Sequence, residues 1–252
     1  MSSQEFTIAL CRQLRLPLDD TVSVCSACEN ALLDTFGDHS IICLASVDRI
    51  KRHNAVRDQI FYTCKAAHLS PQIESGVDSA SQQRPADVLL RNWSCGRPLA
   101  IDVTITSPLQ SSVVATAATT KGFAARNAEE RKMSASELSC LDAGVDFQPL
   151  AFETSSGISP SSLPFLKTLL NRCSDVSFCP RSVTFLQFFQ QTSVTINKIN
   201  ASMIILRLPT NSFTDLRRSR PYETVSNFNT QLSRPFILHC LSRFVATKLH
   251  HV

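Results

Sequence analysis

The stretch Arg84-Pro85-Ala86-Asp87-Val88-Leu89-Leu90-Arg91-Asn92-Trp93-Ser94-Cys95-Gly96-Arg97-Pro98-Leu99-Ala100-Ile101-Asp102-Val103-Thr104-Ile105-Thr106 decides the fold. Two apolar, β-prone runs flank a turn-like middle, Arg91 to Pro98, which predicts a hairpin. Folding it symmetrically about Ser94 and Cys95 puts Asp87 opposite Asp102 across fourteen intervening residues. In that register Val88, Leu90, Ile101, Val103 and Ile105 share one apolar face, and both aspartates lie with Thr104 on the other. Like charges directly opposed on a sheet destabilise it, so positive charge is expected between them. A hard divalent cation, Mg²⁺ or Mn²⁺, suits two carboxylates and can prepare water and phosphate for hydrolysis.

Outward from the hairpin, local signals mark the other elements. Ser2 and Glu5 form a capping box, and Phe6, Leu10 and Leu14 keep helical spacing until Pro17. A helix is expected from about 47 to 67, with Ile50, Ile60, Phe61 and Cys64 on its apolar stripe. It leads through Leu69-Ser70-Pro71 into a strand carrying Ile73 and Glu74, then a Ser/Gln-rich loop over 75–83. The Ala/Thr/Ser-rich segment 109–120 reads equally as loop or helix. A charged helix over about 124–142 ends before Gly144, a residue suited to a left-handed cap. A buried strand over 145–152 and helices near 161–173 and 183–207 complete the pattern.

Ahead of the first long helix, Cys25-x2-Cys28-x10-His39-x3-Cys43 supplies three thiolates and one imidazole, a complete tetrahedral set for structural Zn²⁺. Gly37-Asp38 permits the turn that returns His39 to the cysteine pair. Four ligands leave no open coordination position, so this metal would hold the fold or touch nucleic acid and would not perform hydrolysis.

The chain has 252 residues, 43% of them hydrophobic, enough for one main domain with additions. Apolar stretches at Ser112–Ala118 and Ala201–Leu206 are too short to span a bilayer, so no membrane partner is expected. The start lacks the blocks of a signal peptide, and the ten cysteines read as metal ligands in a reducing, intracellular setting. Net charge is +4, but the first 210 residues hold nineteen basic and nineteen acidic side chains. A neutral body argues against strong autonomous non-specific DNA binding. There is no phosphate-binding Gly-rich loop, nucleophile elbow or HExxH helix.

The Cys25/Cys28/His39/Cys43 element, Arg52-His53-Asn54, Arg84-Pro85-Ala86-Asp87 and the later Asp102 stand in an order that resembles the restriction-like endonuclease at the C-terminus of site-specific non-LTR retrotransposon polyproteins. The similarity covers about residues 20–155 and weakens towards 209. The resemblance implies an α/β fold, a PD-(D/E)xK core with a mixed sheet flanked by helices, and an N-terminal zinc-binding element. It divides the chain into 1–46 (helix and zinc element), 47–182 (endonuclease-like core), 183–209 (C-terminal helix) and 210–252 (weakly structured tail).

The same resemblance implies DNA nicking with Mg²⁺, Asp87 and Asp102 as metal ligands, and Glu74 as an added acid. Arg52, His53 and Asn54 become nucleic-acid contacts or braces of the active strand, and Arg84 a phosphate contact beside the metal or an ordinary strand-edge arginine. Thr104 stands where such cores usually place a lysine, Ala86 interrupts the usual Pro-Asp pair, and Ser136 replaces a tyrosine. Lys132, on the helix after the hairpin, is the replacement expected for that lysine, with Lys121 in reserve. Glu153 follows a buried strand and either reaches the site or simply ends the strand. Trp93 either stacks on a base or covers the core. Partners implied are DNA, an RNA, and a reverse transcriptase segment outside these residues, with a nuclear location. The rival expectation is a catalytically degenerate zinc-containing remnant that binds nucleic acid or protein.

Overall fold

The computed structural model describes residues 1–19, 23–45, 47–73 and 86–208. Glu74, Arg84, the 75–83 loop and the 210–252 tail lie outside these residues. A four-stranded mixed sheet runs in spatial order β1 (Pro71–Ile73), β2 (Val88–Ser94), β3 (Arg97–Thr106) and β4 (Asp146–Glu153). The first three strands are antiparallel to their neighbours, while β4 lies parallel to β3. A parallel neighbour needs a long crossover. Here it is supplied by the short helix Val114–Thr119 and the long helix Phe123–Asp142.

Seven helices are described: α1 (Ser3–Gln13), α2 (Asp38–Ile42), α3 (Asp48–Ala66), α4 (Val114–Thr119), α5 (Phe123–Asp142), α6 (Leu163–Ser177) and α7 (Arg181–Ile205). The capping box forms as expected: Glu5 N–H donates to Ser2 Oγ at 3.2 Å, and Ser2 N–H to Glu5 Oε2 at 2.5 Å. Gly144, at φ 70°, follows α5 and donates its N–H to the Leu141 carbonyl at 2.9 Å. The ambiguous segment resolves into turns followed by α4.

The alternation of β2 and β3 divides the molecule into two layers around the sheet. Val88, Leu90, Leu99, Ile101 and Val103, joined by Leu150 and Phe152 of β4, face Val56 and Ile60 of α3, Leu166 and Leu169 of α6, and Phe188 and Ile196 of α7. These side chains are essentially removed from water, and each large one contributes roughly 1.5–3 kcal/mol by that transfer. The opposite face carries Leu89 and Ala100 against Cys140, and Ala151 against Ala125 and Ala128 of α5. Small residues on α5 let the helix lie close over the strands that bear the acids.

Two details depart from expectation. Ile50 is 61% exposed; the buried side of α3 is Arg52, Val56, Ile60 and Cys64 at spacings of four. The hairpin also contains an irregularity between Leu90 and Ser94, so Ser94 pairs with Arg97 and the chain turns at Cys95 and Gly96. No helix among the described residues is long and apolar enough to cross a membrane.

Candidate functional site

The register Val88↔Ile101 and Leu89↔Ala100, continued by one residue, brings Asp87 level with Asp102. Asp87 stands just ahead of β2, where its carboxylate substitutes for a strand partner: Oδ2 accepts the Val103 N–H at 2.6 Å. The same oxygen lies 3.1 Å from His53 Nε2, which also lies 3.0 Å from the Val103 carbonyl oxygen. On the other side, Lys132 of α5 donates to Asp102 with Nζ at 2.8 Å from Oδ2 and 3.2 Å from Oδ1. The order is therefore His53, Asp87, Asp102, Lys132, with positive groups on the flanks of the acidic pair and not between its members.

Burial is the largest influence on Asp102 and pushes its carboxyl up to about 6; Lys132 pulls it down, and Asp87 adds to the rise. Burial also opposes ionisation of Asp87, but His53 and the Val103 N–H outweigh it and hold that carboxyl below the usual range. His53 is raised, first by its bond to Asp87, against the opposing effect of burial. Its Nδ1 lies 3.2 Å from Asn54 Oδ1, so both ring nitrogens face oxygen acceptors, the pattern that suits an imidazolium.

Arg52-His53-Asn54 thus divides its labour, and the expectation for Arg52 needs correction. Arg52 is 3% exposed, donates to Asn200 Oδ1 at 2.6 Å and to the Ile41 carbonyl at 3.3 Å, and ties α3 to α7 and α2. Burial lowers its pKa to about 10. Having no exposed face, it braces the fold and is not a phosphate contact. His53 holds Asp87, and Asn54 orients His53.

Lys132 supplies the ammonium at the position where Thr104 cannot. Lys121 is exposed ahead of α5 and reaches neither aspartate. Glu153 pairs in register with Thr106, four residues from Asp102, and accepts from Ala125 N–H at 3.4 Å and Ser155 Oγ at 3.1 Å. It secures the start of α5 and stays away from the acidic pair. Trp93 packs on Phe165 at 5.1 Å between ring centres.

The Cys/His element closes on itself. The donor atoms of Cys25, Cys28, His39 and Cys43 all lie within 4.8 Å of one another, and theirs is the one such metal-capable group of three or more His, Cys, Asp or Glu side chains among the described residues. Cys25 and Cys43 sulfurs are 3.9 Å apart, close to the roughly 3.8 Å that two 2.3 Å Zn–S bonds subtend at a tetrahedral angle. Cys28 Sγ lies 3.4 Å from His39 Nε2. Burial resists ionisation of Cys25, yet the N–H groups of Cys28 and Ala27 pull its thiol down. The Asn30 N–H does the same for Cys28, while burial raises Cys43. This donor set can take Zn²⁺.

Two organising acids escaped the sequence reading. Asp34 accepts three backbone N–H groups, from Phe36 (3.0 Å), Asp38 (2.9 Å) and His39 (2.6 Å), and so shapes the loop that returns His39. Gly37 helps at φ 71°, where an added Cβ would meet Ile204 at 3.0 Å. Glu129 is buried on α5 and accepts from the hydroxyls of Ser159, Ser161 and Ser162. One turn before Lys132, it anchors the helix that delivers the ammonium. Its readable signal is the run Ser159-Pro160-Ser161-Ser162, a dense set of hydroxyl donors after a strand.

No protein-family model, curated protein or solved structure matches this chain.

Proposed function

We propose that this chain is a metal-dependent DNA endonuclease domain of the PD-(D/E)xK kind, nicking DNA by phosphodiester hydrolysis and stapled at its N-terminal end by Zn²⁺. The carrying observation is the meeting of Asp87 and Asp102 beside a lysine delivered from α5, 30 residues from Asp102 in sequence. The order of motifs supports kinship with the retrotransposon endonucleases, and with it a polymerase partner and a nuclear location.

The residues fit Mg²⁺ or Mn²⁺. Two adjacent carboxylates offer hard oxygen donors, and a bound cation would relieve the repulsion from Asp87 that contributes to the rise of Asp102. When bound, the cation would neutralise phosphate charge and acidify water. The chain's own groups do the rest. His53 and the Val103 N–H fix Asp87, and Lys132 keeps Asp102 oriented and places positive charge where the phosphate would develop negative charge.

A second reading has a specific observation behind it. Lys132 approaches both Asp102 oxygens, and Thr104 leaves no second lysine on β3, so the cluster also suits a self-neutralised scaffold that binds nucleic acid without cutting it. Nicking of supercoiled plasmid separates the two. The endonuclease nicks with Mg²⁺ or Mn²⁺, stops with EDTA, and loses activity in Asp102→Asn; the scaffold binds and leaves the plasmid intact.

A further inference from the structure

The groove between the end of α3, the hairpin tip and α6 is separate from the Cys/His cluster and from the Asp87/Asp102 pair. It has a volume of about 580 Å³ and is lined by His68, Ser70, Arg91, Asn92, Trp93 and Arg172 among others, with no carboxylate among the described residues that line it. Asn92 lies five residues along β2 from Asp87, roughly 17 Å away at about 3.3 Å per residue.

Arg172 is built into this groove. Its guanidinium lies 4.6 Å from the centre of the Trp93 ring, and Nη2 donates to the Trp93 carbonyl at 3.2 Å. Phe165 supports the same ring. One face of Trp93 thus holds an arginine. Among the described residues Arg172 has no ion-pair partner, and Arg91 donates through Nε to the neutral Gln72 Oε1 at 3.1 Å, with no acceptor among them for its two terminal nitrogens. Two arginines held in place by neutral partners, beside an imidazole, a hydroxyl and an amide, form an anion-binding array. Guanidinium forks match phosphate oxygens in a way that water-solvated surface lysines do not.

We infer that this groove binds the sugar–phosphate backbone of the DNA flanking the cleavage position. The inference rests on the endonuclease reading. In a chain whose first 210 residues are electrically balanced, a local array of this kind supplies grip that overall charge does not. Backbone contacts of this type position DNA without reading its sequence.

The test is binding of a labelled duplex of about 20 base pairs in EDTA across a salt series, comparing wild type, Arg91→Gln, Arg172→Gln and the double variant; each lost phosphate contact lowers the slope of log K against log salt by about 1. The expected result is a fall of about 1 in each single variant and about 2 in the double, alike for unrelated sequences. Arg91 is exposed, so Arg91→Gln is expected to melt with wild type and keeps the test readable if Arg172→Gln unfolds. An unchanged slope in the folded Arg91→Gln and double variants overturns the inference. So does equal competition by inorganic phosphate at the concentration of DNA phosphates, which would mark a small-anion site. Hydrolysis of bis(p-nitrophenyl) phosphate is measured separately on wild type in EDTA-free buffer with Mg²⁺. Absence of that hydrolysis in wild type would count against the endonuclease reading while leaving the DNA-binding comparison intact.

Discussion

Lys132 Nζ lies 2.8 Å from Asp102 Oδ2, joining the sheet-facing side of α5 to the buried end of the acidic pair. Burial and two acids in contact raise Asp102, and Lys132 is the group that opposes this rise. Lys132→Ala is therefore expected to leave the fold intact, as judged by far-UV circular dichroism, and to lower nicking by about a hundredfold or more, the usual effect of losing one charge-stabilising donor. Lys132→Arg should retain part of the activity. Full activity in the alanine variant would remove Lys132 from the machinery.

The two aspartates should respond oppositely to neutralisation. Asp102 has a raised pKa, so without a divalent cation the folded state holds its proton more tightly than the unfolded chain. Its share of stability is present at low pH and is lost as pH rises from about 4 to about 6. Asp102→Asn should accordingly melt higher than wild type at pH 7 in EDTA, by about 2–4 °C for each kcal/mol relieved. Asp87→Ala should melt lower, because it strands the Val103 N–H and the His53 ring, at a cost of about 1–3 kcal/mol for a buried unpaired group. A lower melting point for Asp102→Asn would contradict the assignment of burial as its dominant influence.

His53 and Asp87 form a pair with its own pH signature. The raised His53 contributes stability that is fully present below about pH 6.5 and disappears as pH rises through its folded pKa. Asp87, held low, contributes above about pH 4 and loses that contribution as pH falls through its own folded pKa. Melting temperatures of wild type and His53→Gln from pH 5 to pH 9 should therefore converge towards the alkaline end, a check made without added Mg²⁺ or Mn²⁺ and with about one Zn²⁺ bound, as a single Cys₃His site requires. Parallel curves would mean that the imidazole is not charged against Asp87.

Zinc analysis tests the N-terminal element separately. One Zn²⁺ per chain is expected, and stripping it with a strong chelator should lower the melting temperature, because Arg12 and Arg15 link α1 to the same loop through Asp38 at 2.9 Å each. Cys25→Ser should abolish metal retention. A Co²⁺-loaded protein should show thiolate-to-cobalt absorption, and full stability after complete metal removal would refute a structural role.

Glu129 offers a fifth check. Glu129→Ala leaves the Ser159, Ser161 and Ser162 hydroxyls without their acceptor and frees the loop from α5. A loss of about 1–3 kcal/mol is expected from each hydroxyl left buried and unpaired, less any that water satisfies. Glu129→Gln, which retains an acceptor, should be milder, and urea melts of the two variants would show the difference.

The hairpin was legible because a period of two excludes every odd slip: only even registers set Val88, Leu90, Ile101 and Val103 on a common apolar face, and the one symmetric about Ser94 and Cys95 is adopted from Val88 to Leu90. The helix after it was legible from its Gly144 terminus. What could not be read was the destination of polar side chains. Arg52 finds Asn200 at a distance of 148 residues in sequence, and no local pattern announces that bond. Ile50 looks like a core residue by hydrophobicity, but the core side of α3 is set by where α6 and α7 pack, which placed Arg52 inside and Ile50 outside. Charge opposition called for positive charge between the aspartates, whereas His53 and Lys132 stand on their flanks, an arrangement that depends on His53 passing the start of β2 and on α5 crossing the sheet.

The most direct test of the central claim is the nicking assay on zinc-loaded protein, comparing wild type with Asp102→Asn in Mg²⁺, Mn²⁺ and EDTA. Asp102→Asn is chosen because it is expected to be at least as stable as wild type, so lost activity cannot be lost folding. The account predicts metal-dependent nicking by wild type that disappears in Asp102→Asn. Equal nicking by both proteins, or none by a folded wild type with either metal, would contradict it.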